Sequence, residues 1–262
     1  MSATPLPWLR VVFKTTTLCL LILLLVAMQV VVLALARRRA ATGLLMLFYR
    51  LACAVLGLQV DVRGVPERAL RTVFISNHLS HLDIPVIGSV LRACFVAKDD
   101  IRGWPVFGAL ARLQQTVFIS RNPRRAGEIS SMLGAALDAG RCLVLFPEGT
   151  TSDGSAVLPF KSSIFAMLVD AWLPDMVLQP MTIELLEVDG CAIVDGGDRD
   201  VYAYHRDMQM GPHLFAFMRL SGARVRLTFH AILPRQDKQS RKTLAALAHA
   251  SVSQSGSMQV AS

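Results

Sequence analysis

The sequence predicts an α/β fold: a mixed, mostly parallel sheet covered by helices, with an N-terminal membrane-anchoring helical segment. Three observations predict it. Between Leu58 and Phe229, short β-rich apolar runs alternate with helix-like ones. Two of these runs, 72–77 and 142–146, stop in polar turns, as buried parallel strands do where ligands gather. Ahead of them, the stretch from Thr15 to Ala36 carries no charge.

As a helix, 15–36 would be about 33 Å long, against a hydrocarbon core of about 30 Å. Arg10, Lys14 and Ala34-Leu35-Ala36 would also suit a cleaved signal peptide. The apolar run is longer than the usual h-region of about 7–15 residues, and three arginines and a second apolar stretch follow. A retained transmembrane anchor is therefore expected. The second stretch is interrupted by Arg50 and reads as a helix, 43–57, lying in the interface or packed on the first. This divides the chain into an anchor (1–57), an α/β domain (58–250) and a small, polar, disordered tail (251–262).

The net charge is +8. Arg10, Lys14, Arg37, Arg38, Arg39 and Arg50, with no acid in the first fifty residues, supply +6 of it. A nucleic-acid-binding protein would carry basic residues on its folded domain. Here they flank the apolar segment, so the partner is an anionic bilayer surface and not nucleic acid. The Arg37–Arg39 run puts the bulk of the chain on the cytoplasmic side. The five cysteines show no CxxC pair and no metal spacing, and read as small buried hydrophobes.

Strands are expected at 58–63, 72–77, 93–97, 116–120, 142–146, 177–184 and 224–230. Helices are expected at 84–92, 105–113, 124–139, 160–172, 206–219 and 239–251. Pro180 inside 177–184 suggests an edge or a bulge. The Gly/Asp-rich segment 187–213 is expected to form long loops.

The strand at 72–77 runs into Asn77-His78-Leu79-Ser80-His81-Leu82-Asp83. Asp83 precedes a helix-like run with Pro85 in its first turn, so it is a candidate N-cap. If His78 lies in the loop and Asp83 opens the helix, the two side chains can meet. Asp83 would then fix the imidazole tautomer and leave the other nitrogen as a free base. Ser80 as an enzyme nucleophile lacks a Gly-x-Ser-x-Gly elbow. A metal held by His78, His81 and Asp83 lacks a further ligand cluster. In Phe146-Pro147-Glu148-Gly149-Thr150, a second strand ends in a polar turn. It suits either a ligand site or an ordinary turn. Arg121, ending Val117-Phe118-Ile119-Ser120-Arg121, offers a fork for phosphate or carboxylate.

Together these segments resemble the glycerolipid acyltransferase family, which includes the 1-acylglycerol-3-phosphate acyltransferases. The resemblance covers roughly Leu58 to Phe229. It implies His78 as general base and Asp83 as its orienter. It places Asn77, Ser80, Arg121, Glu148, Gly149, Thr150, Thr151, Lys161 and Pro180 at the substrate-binding site. Arg121 would bind the acceptor, Glu148, Gly149 and Thr150 would shape its site, and Pro180 would line the acyl site. The implied reaction moves an acyl group from acyl-ACP or acyl-CoA to a lyso-lipid hydroxyl, with no metal or organic cofactor. The first acceptor to consider is 1-acyl-sn-glycerol-3-phosphate, giving phosphatidic acid. Many phosphate-acceptor members, however, have Arg where Thr151 stands. FPEGTTSDG followed by KSS is also similar to bacterial lyso-ornithine lipid acyltransferases, which keeps that acceptor open. The resemblance to bacterial members implies the inner membrane. A non-catalytic, membrane-anchored lipid-binding protein is the reading from another class.

Overall fold

The computed structural model describes residues 6–35, 38–103, 107–120, 126–170, 175–193, 199–234 and 240–254. One sheet organises the chain. Its strands are β1 (Leu58–Arg63), β2 (Thr72–Ser76), β3 (Ala93–Lys98), β4 (Val117–Ile119), β5 (Cys142–Leu145), β6 (Val177–Val188), β7 (Cys191–Ala192) and β8 (Ala223–Phe229). The spatial order is β1-β8-β6-β2-β5-β3-β4, with β7 paired to β6. From β6 to β4 all neighbours are parallel. β8 runs antiparallel to β6, and β1 parallel to β8. This is the mixed, mostly parallel sheet expected from the sequence.

β2 lies between β5 and β6, and all its residues are buried. A strand covered on both faces needs apolar residues without alternation, as TVFIS provides. Phe74 points into one apolar layer, with Tyr49, Ile87 and Phe217. Val73 and Ile75 point into the other, with Leu133, Phe165 and Leu244. The first layer is roofed by α2 (Arg38–Leu56), α3 (Asp83–Val90) and α7 (Met210–Met218). The second is roofed by α5 (Ala126–Asp138), α6 (Ser162–Asp170) and α8 (Arg241–Ser253). The short α4 (Phe107–Leu113) leads into β4.

The N-terminal helix α1 (Leu6–Ala34) begins earlier than the sequence suggests. Arg10 and Lys14 are helical residues and not a flank, because both find carbonyls at helix ends. The Lys14 ammonium donates to the carbonyls of Leu56 at 2.8 Å, Leu220 at 2.9 Å and Ser221 at 3.4 Å. Arg10 donates to the Arg219 carbonyl at 3.4 Å. Farther along, Gln29 donates to the carbonyl of Leu113, the last residue of α4, at 3.0 Å. The last carbonyls of a helix have no intrahelical donor and carry the negative end of its dipole. α1 thus caps α2, α4 and the chain just after α7. Its other side exposes Trp8, Leu9, Val12, Phe13, Leu20, Leu23, Leu24, Val30 and Val31. Leu6–Val32 is long and apolar enough to cross a bilayer.

α2 packs between α1 and α3. It approaches α3 closely at Gly88, where a Cβ would strike the Tyr49 ring at 2.2 Å. Arg50 donates to the Ser89 carbonyl at the end of α3, at 2.9 Å, so the arginine that interrupts the apolar run serves a helix cap.

Several expected boundaries move. β6 extends to Val188 and is a central strand, so Pro180 is not at a sheet edge; the irregularity lies at Leu185/Glu187. Pro180 is tolerated because Gln179 replaces its missing donor. His230 N–H donates to the Pro180 carbonyl at 3.0 Å, and Gln179 Nε2 donates to the His230 carbonyl at 3.0 Å. α8 runs three residues into the expected tail, held by buried Val252, whose carbonyl accepts from Thr182 Oγ1 at 2.6 Å. Tail residues 255–262 lie outside the described residues. Within 187–213, β7, a 3-10 turn at Arg199–Val201 and the start of α7 replace part of the expected loop. Cys53 and Cys94 are buried, but Cys19 and Cys191 are exposed, Cys19 on the outer side of α1.

Candidate active site

β2 and β5 are adjacent and parallel, with Ile75 beside Leu145. Their polar turns therefore emerge side by side. The His78 ring stacks on Phe146, centroids 3.9 Å apart and 14° from parallel. Phe95, in β3, lies close to parallel to Phe146 at 6.4 Å. The Ser152 N–H donates to the His78 carbonyl at 2.9 Å, tying the second motif's loop to the first.

His78 and Asp83 meet: Nδ1 lies 2.8 Å from Asp83 Oδ2. The same oxygen accepts from the Leu79 amide at 2.7 Å and the Ser80 amide at 3.0 Å. Asp83 is fully buried, whereas the His78 side chain is 19% exposed. Asp83 Oδ2 already accepts two amides, so the imidazole meets it as an Nδ1–H donor and turns Nε2 away from the carboxyl. Asp83 is the first residue of α3 and makes no N-cap bond; the cap position is Leu82. Its side chain turns back into the loop because two amides and an imidazole need it there.

The neighbouring residues are positioned as follows. Asn77 spends both ends of its amide on the Ile183 backbone, accepting at 2.8 Å and donating at 2.9 Å. Ser80 is buried in the turn, where its hydroxyl accepts from the Leu82 amide at 3.3 Å. Both side chains shape the turn that carries His78. Pro180 is a buried residue of β6, in register with Ile75.

Glu148 is 2% exposed, and neither carboxyl oxygen has a hydrogen-bond partner at full geometry among the described residues, the Leu158 and His78 amides standing only near it. Burial pushes its carboxyl up to about 8, the Asp83 charge adding to the rise and the amides of Leu158 and His78 opposing it. It is thus a neutral acid beneath the turn at neutral pH. Gly149 has φ +68°, and a Cβ there would lie 2.6 Å from Lys161 Nζ. Only glycine allows that turn with lysine laid over it. The Lys161 amide donates to the Pro147 carbonyl at 2.9 Å. Thr150 is exposed and Thr151 half-buried. β4 ends on the same sheet edge, two strands beyond β5; Arg121, which follows it, lies outside the described residues.

His81 stays in the turn and is enclosed by Tyr204 and His213, with centroids 5.4 and 5.2 Å away. Burial first, then His213, holds it down to about 4. Among the described residues, no group of three or more His, Cys, Asp or Glu is placed to hold a metal ion. Sequence reasoning missed Tyr202, whose hydroxyl donates to Asp83 Oδ1 at 3.0 Å. It lies in the segment read as loop, and no local pattern marks it.

The Acyltransferase family profile matches residues 59–184. The lyso-ornithine lipid O-acyltransferase of Rhodobacter capsulatus is 38% identical over 206 residues, 78% of this chain and 72% of that protein. The chain belongs to the acyltransferase family. The 1-acyl-sn-glycerol-3-phosphate acyltransferase of Neisseria gonorrhoeae is 39% identical over 122 residues, 46% of this chain and 48% of that protein. The crystal structure of the 1-acyl-sn-glycerophosphate (LPA) acyltransferase PlsC from Thermotoga maritima shares the acyltransferase fold: TM-score 0.68 over 98% of this chain and 97% of that one, at 18% identity.

Proposed function

We propose that this acyltransferase O-acylates a lyso-lipid at the membrane, with His78 as general base and Asp83 as its orienter. The observation that carries the reading is the 2.8 Å contact between a buried carboxylate and a partly exposed imidazole. His78 Nε2 takes the proton from the acceptor hydroxyl as its oxygen attacks the thioester carbonyl carbon of acyl-ACP or acyl-CoA. A tetrahedral oxyanion forms. Its collapse breaks the carbon–sulfur bond, and the imidazolium returns the proton to the departing thiolate. Stacking on Phe146 leaves the ring one plane in which to work.

The acceptor we favour is lyso-ornithine lipid. Relatives named for it align over most of this chain, and Thr151 stands where a phosphate clamp would place arginine. The second reading is 1-acyl-sn-glycerol-3-phosphate. It is supported by relatives named for it that align over 46% of this chain and by Lys161 laid over Gly149. Arg121, Glu148, Gly149, Thr150, Thr151 and Lys161 would form the acceptor side, with Asn77 and Ser80 acting through the turn and Pro180 through the sheet beneath it. The exposed apolar side of α1 anchors the chain in the inner membrane, with the catalytic domain cytoplasmic and close to substrates that are themselves bilayer lipids.

An acceptor panel tests this. Detergent-purified protein with an acyl thioester should release thiol when given lyso-ornithine lipid, and His78→Ala should lose at least about a hundredfold in rate. Release with lysophosphatidic acid alone would establish the second reading. A folded His78→Ala protein with full activity would end the catalytic assignment.

A further inference from the structure

We propose that Tyr202 is a positioning residue for acyl transfer, acting through Asp83 to hold His78 in place; this rests on the catalytic reading of the His78–Asp83 pair.

The two oxygens of Asp83 have different partners. Oδ2 takes His78 Nδ1 and the Leu79 and Ser80 amides. Oδ1 takes the Tyr202 hydroxyl, 119 residues away. A carboxylate held on one oxygen alone can rotate about its Cβ–Cγ bond and exchange the two. Held on both, it presents Oδ2 to the imidazole at a fixed distance. Tyr202 is fully buried and packs edge-on to Phe217, centroids 6.2 Å apart. Without the phenol, Oδ1 would be a desolvated carboxyl oxygen with no hydrogen-bond donor shown among the described residues.

The backbone around Tyr202 is fixed for this task. The 3-10 turn places the Tyr202 and Ala203 amides on the Arg199 carbonyl at 2.9 and 2.7 Å. The next residue, Tyr204, donates its amide to the Leu79 carbonyl at 2.8 Å, sewing the segment to the turn that bears His78. Burial, and then the Asp83 charge, push the phenol well above its ordinary value, so it keeps its proton to donate. Tyr202 contacts the carboxylate and not Nε2, so it acts on the reaction only through Asp83.

The test uses the full chain in detergent and thiol release from an acyl thioester. Tyr202→Phe keeps the ring against Phe217 and removes only the donor. We expect kcat to fall roughly tenfold, with KM for thioester and acceptor within about twofold. In an Asp83→Asn background the same change should cost less than about twofold, because its route to His78 is already broken. Phe217→Leu, which loosens the ring's packing but spares the phenol, should keep kcat per folded molecule. Wild-type kcat in Tyr202→Phe, an undiminished loss in the Asp83→Asn background, or an equal loss in Phe217→Leu would each overturn the proposal. If His78→Ala is inactive while Tyr202→Phe is normal, the catalytic reading stands and only Tyr202 falls. If His78→Ala is active, both fall.

Discussion

Asn77 pairs with Ile183 as a strand residue would, but through its side chain. The amide oxygen takes the Ile183 N–H at 2.8 Å, and the amide nitrogen donates to the Ile183 carbonyl at 2.9 Å. The β2–β6 ladder ends with Ser76 beside Met181. Asn77 extends it by one side-chain rung while its own backbone leaves the sheet. The strand can thus stop without orphaning Ile183, and the next residue is His78.

Asn77→Ala leaves a buried donor and a buried acceptor on Ile183 without partners. The expected loss is about 2–4 kcal/mol of stability, together with a fall in kcat as the turn loosens. Denaturant titration alongside thiol release checks it. A stability change under about 1 kcal/mol would show that water replaces the side chain at no cost.

Glu148 sets a pH dependence. Its carboxyl is pushed from an ordinary 4.5 to about 8 by burial. Between these values the unfolded chain gives up the proton and the folded one keeps it. The folded state then binds more protons, so this group's contribution to stability falls as pH rises through that window. Glu148→Gln keeps the shape and removes the ionisation. Its melting temperature should exceed wild type by about 3 °C or more near pH 9 and match it near pH 4, below the unfolded value. An equal difference at both pH values would refute the account.

Lys14 is nearly buried, and its ammonium has three carbonyl acceptors. Lys14→Met keeps the length and apolar stem but strips the cap from two chain ends. We expect a loss of about 3 kcal/mol in detergent. Phe13→Leu, on the exposed side of the same helix, should cost next to nothing. Comparable effects of the two would mean that α1 is attached by greasy contact alone.

Thr151→Arg probes the acceptor. A guanidinium there would add a charge-assisted clamp. It should lower the KM for lysophosphatidic acid about tenfold and leave that for lyso-ornithine lipid unchanged or higher. No change for the phosphate acceptor would mean that position 151 does not set head-group choice.

Much of the frame was legible because it is local. Uninterrupted apolar runs such as TVFIS and CLVL announce strands buried on both faces. The His78–Asp83 contact closes within five residues, so a turn alone can make it. The adjacency of the NHxSxxD and FPEGT turns needed only that their strands be neighbours. Pro180 at an edge and the tail from 251 were misread because a partner from elsewhere in the chain, His230 for the Gln179–Pro180 pair and Thr182 for Val252, changed what the residue could do. Asp83 as an N-cap was misread for a local reason: the Leu79 and Ser80 amides and the His78 ring of its own turn claim the carboxylate.

The sequence by itself determined the fold class, the apolar N-terminal helix and the meeting of His78 with Asp83. Only the tertiary structure decided how that pair is held. Tyr202 reaches Asp83 across 119 residues, Asn77 reaches Ile183 across 106, and Lys14 reaches Leu220 across 206. Periodicity and turn chemistry record what a residue meets within a few positions. Which distant carbonyl or carboxylate a buried polar group finds is fixed only when the sheet order and helix packing bring the two together and water is excluded.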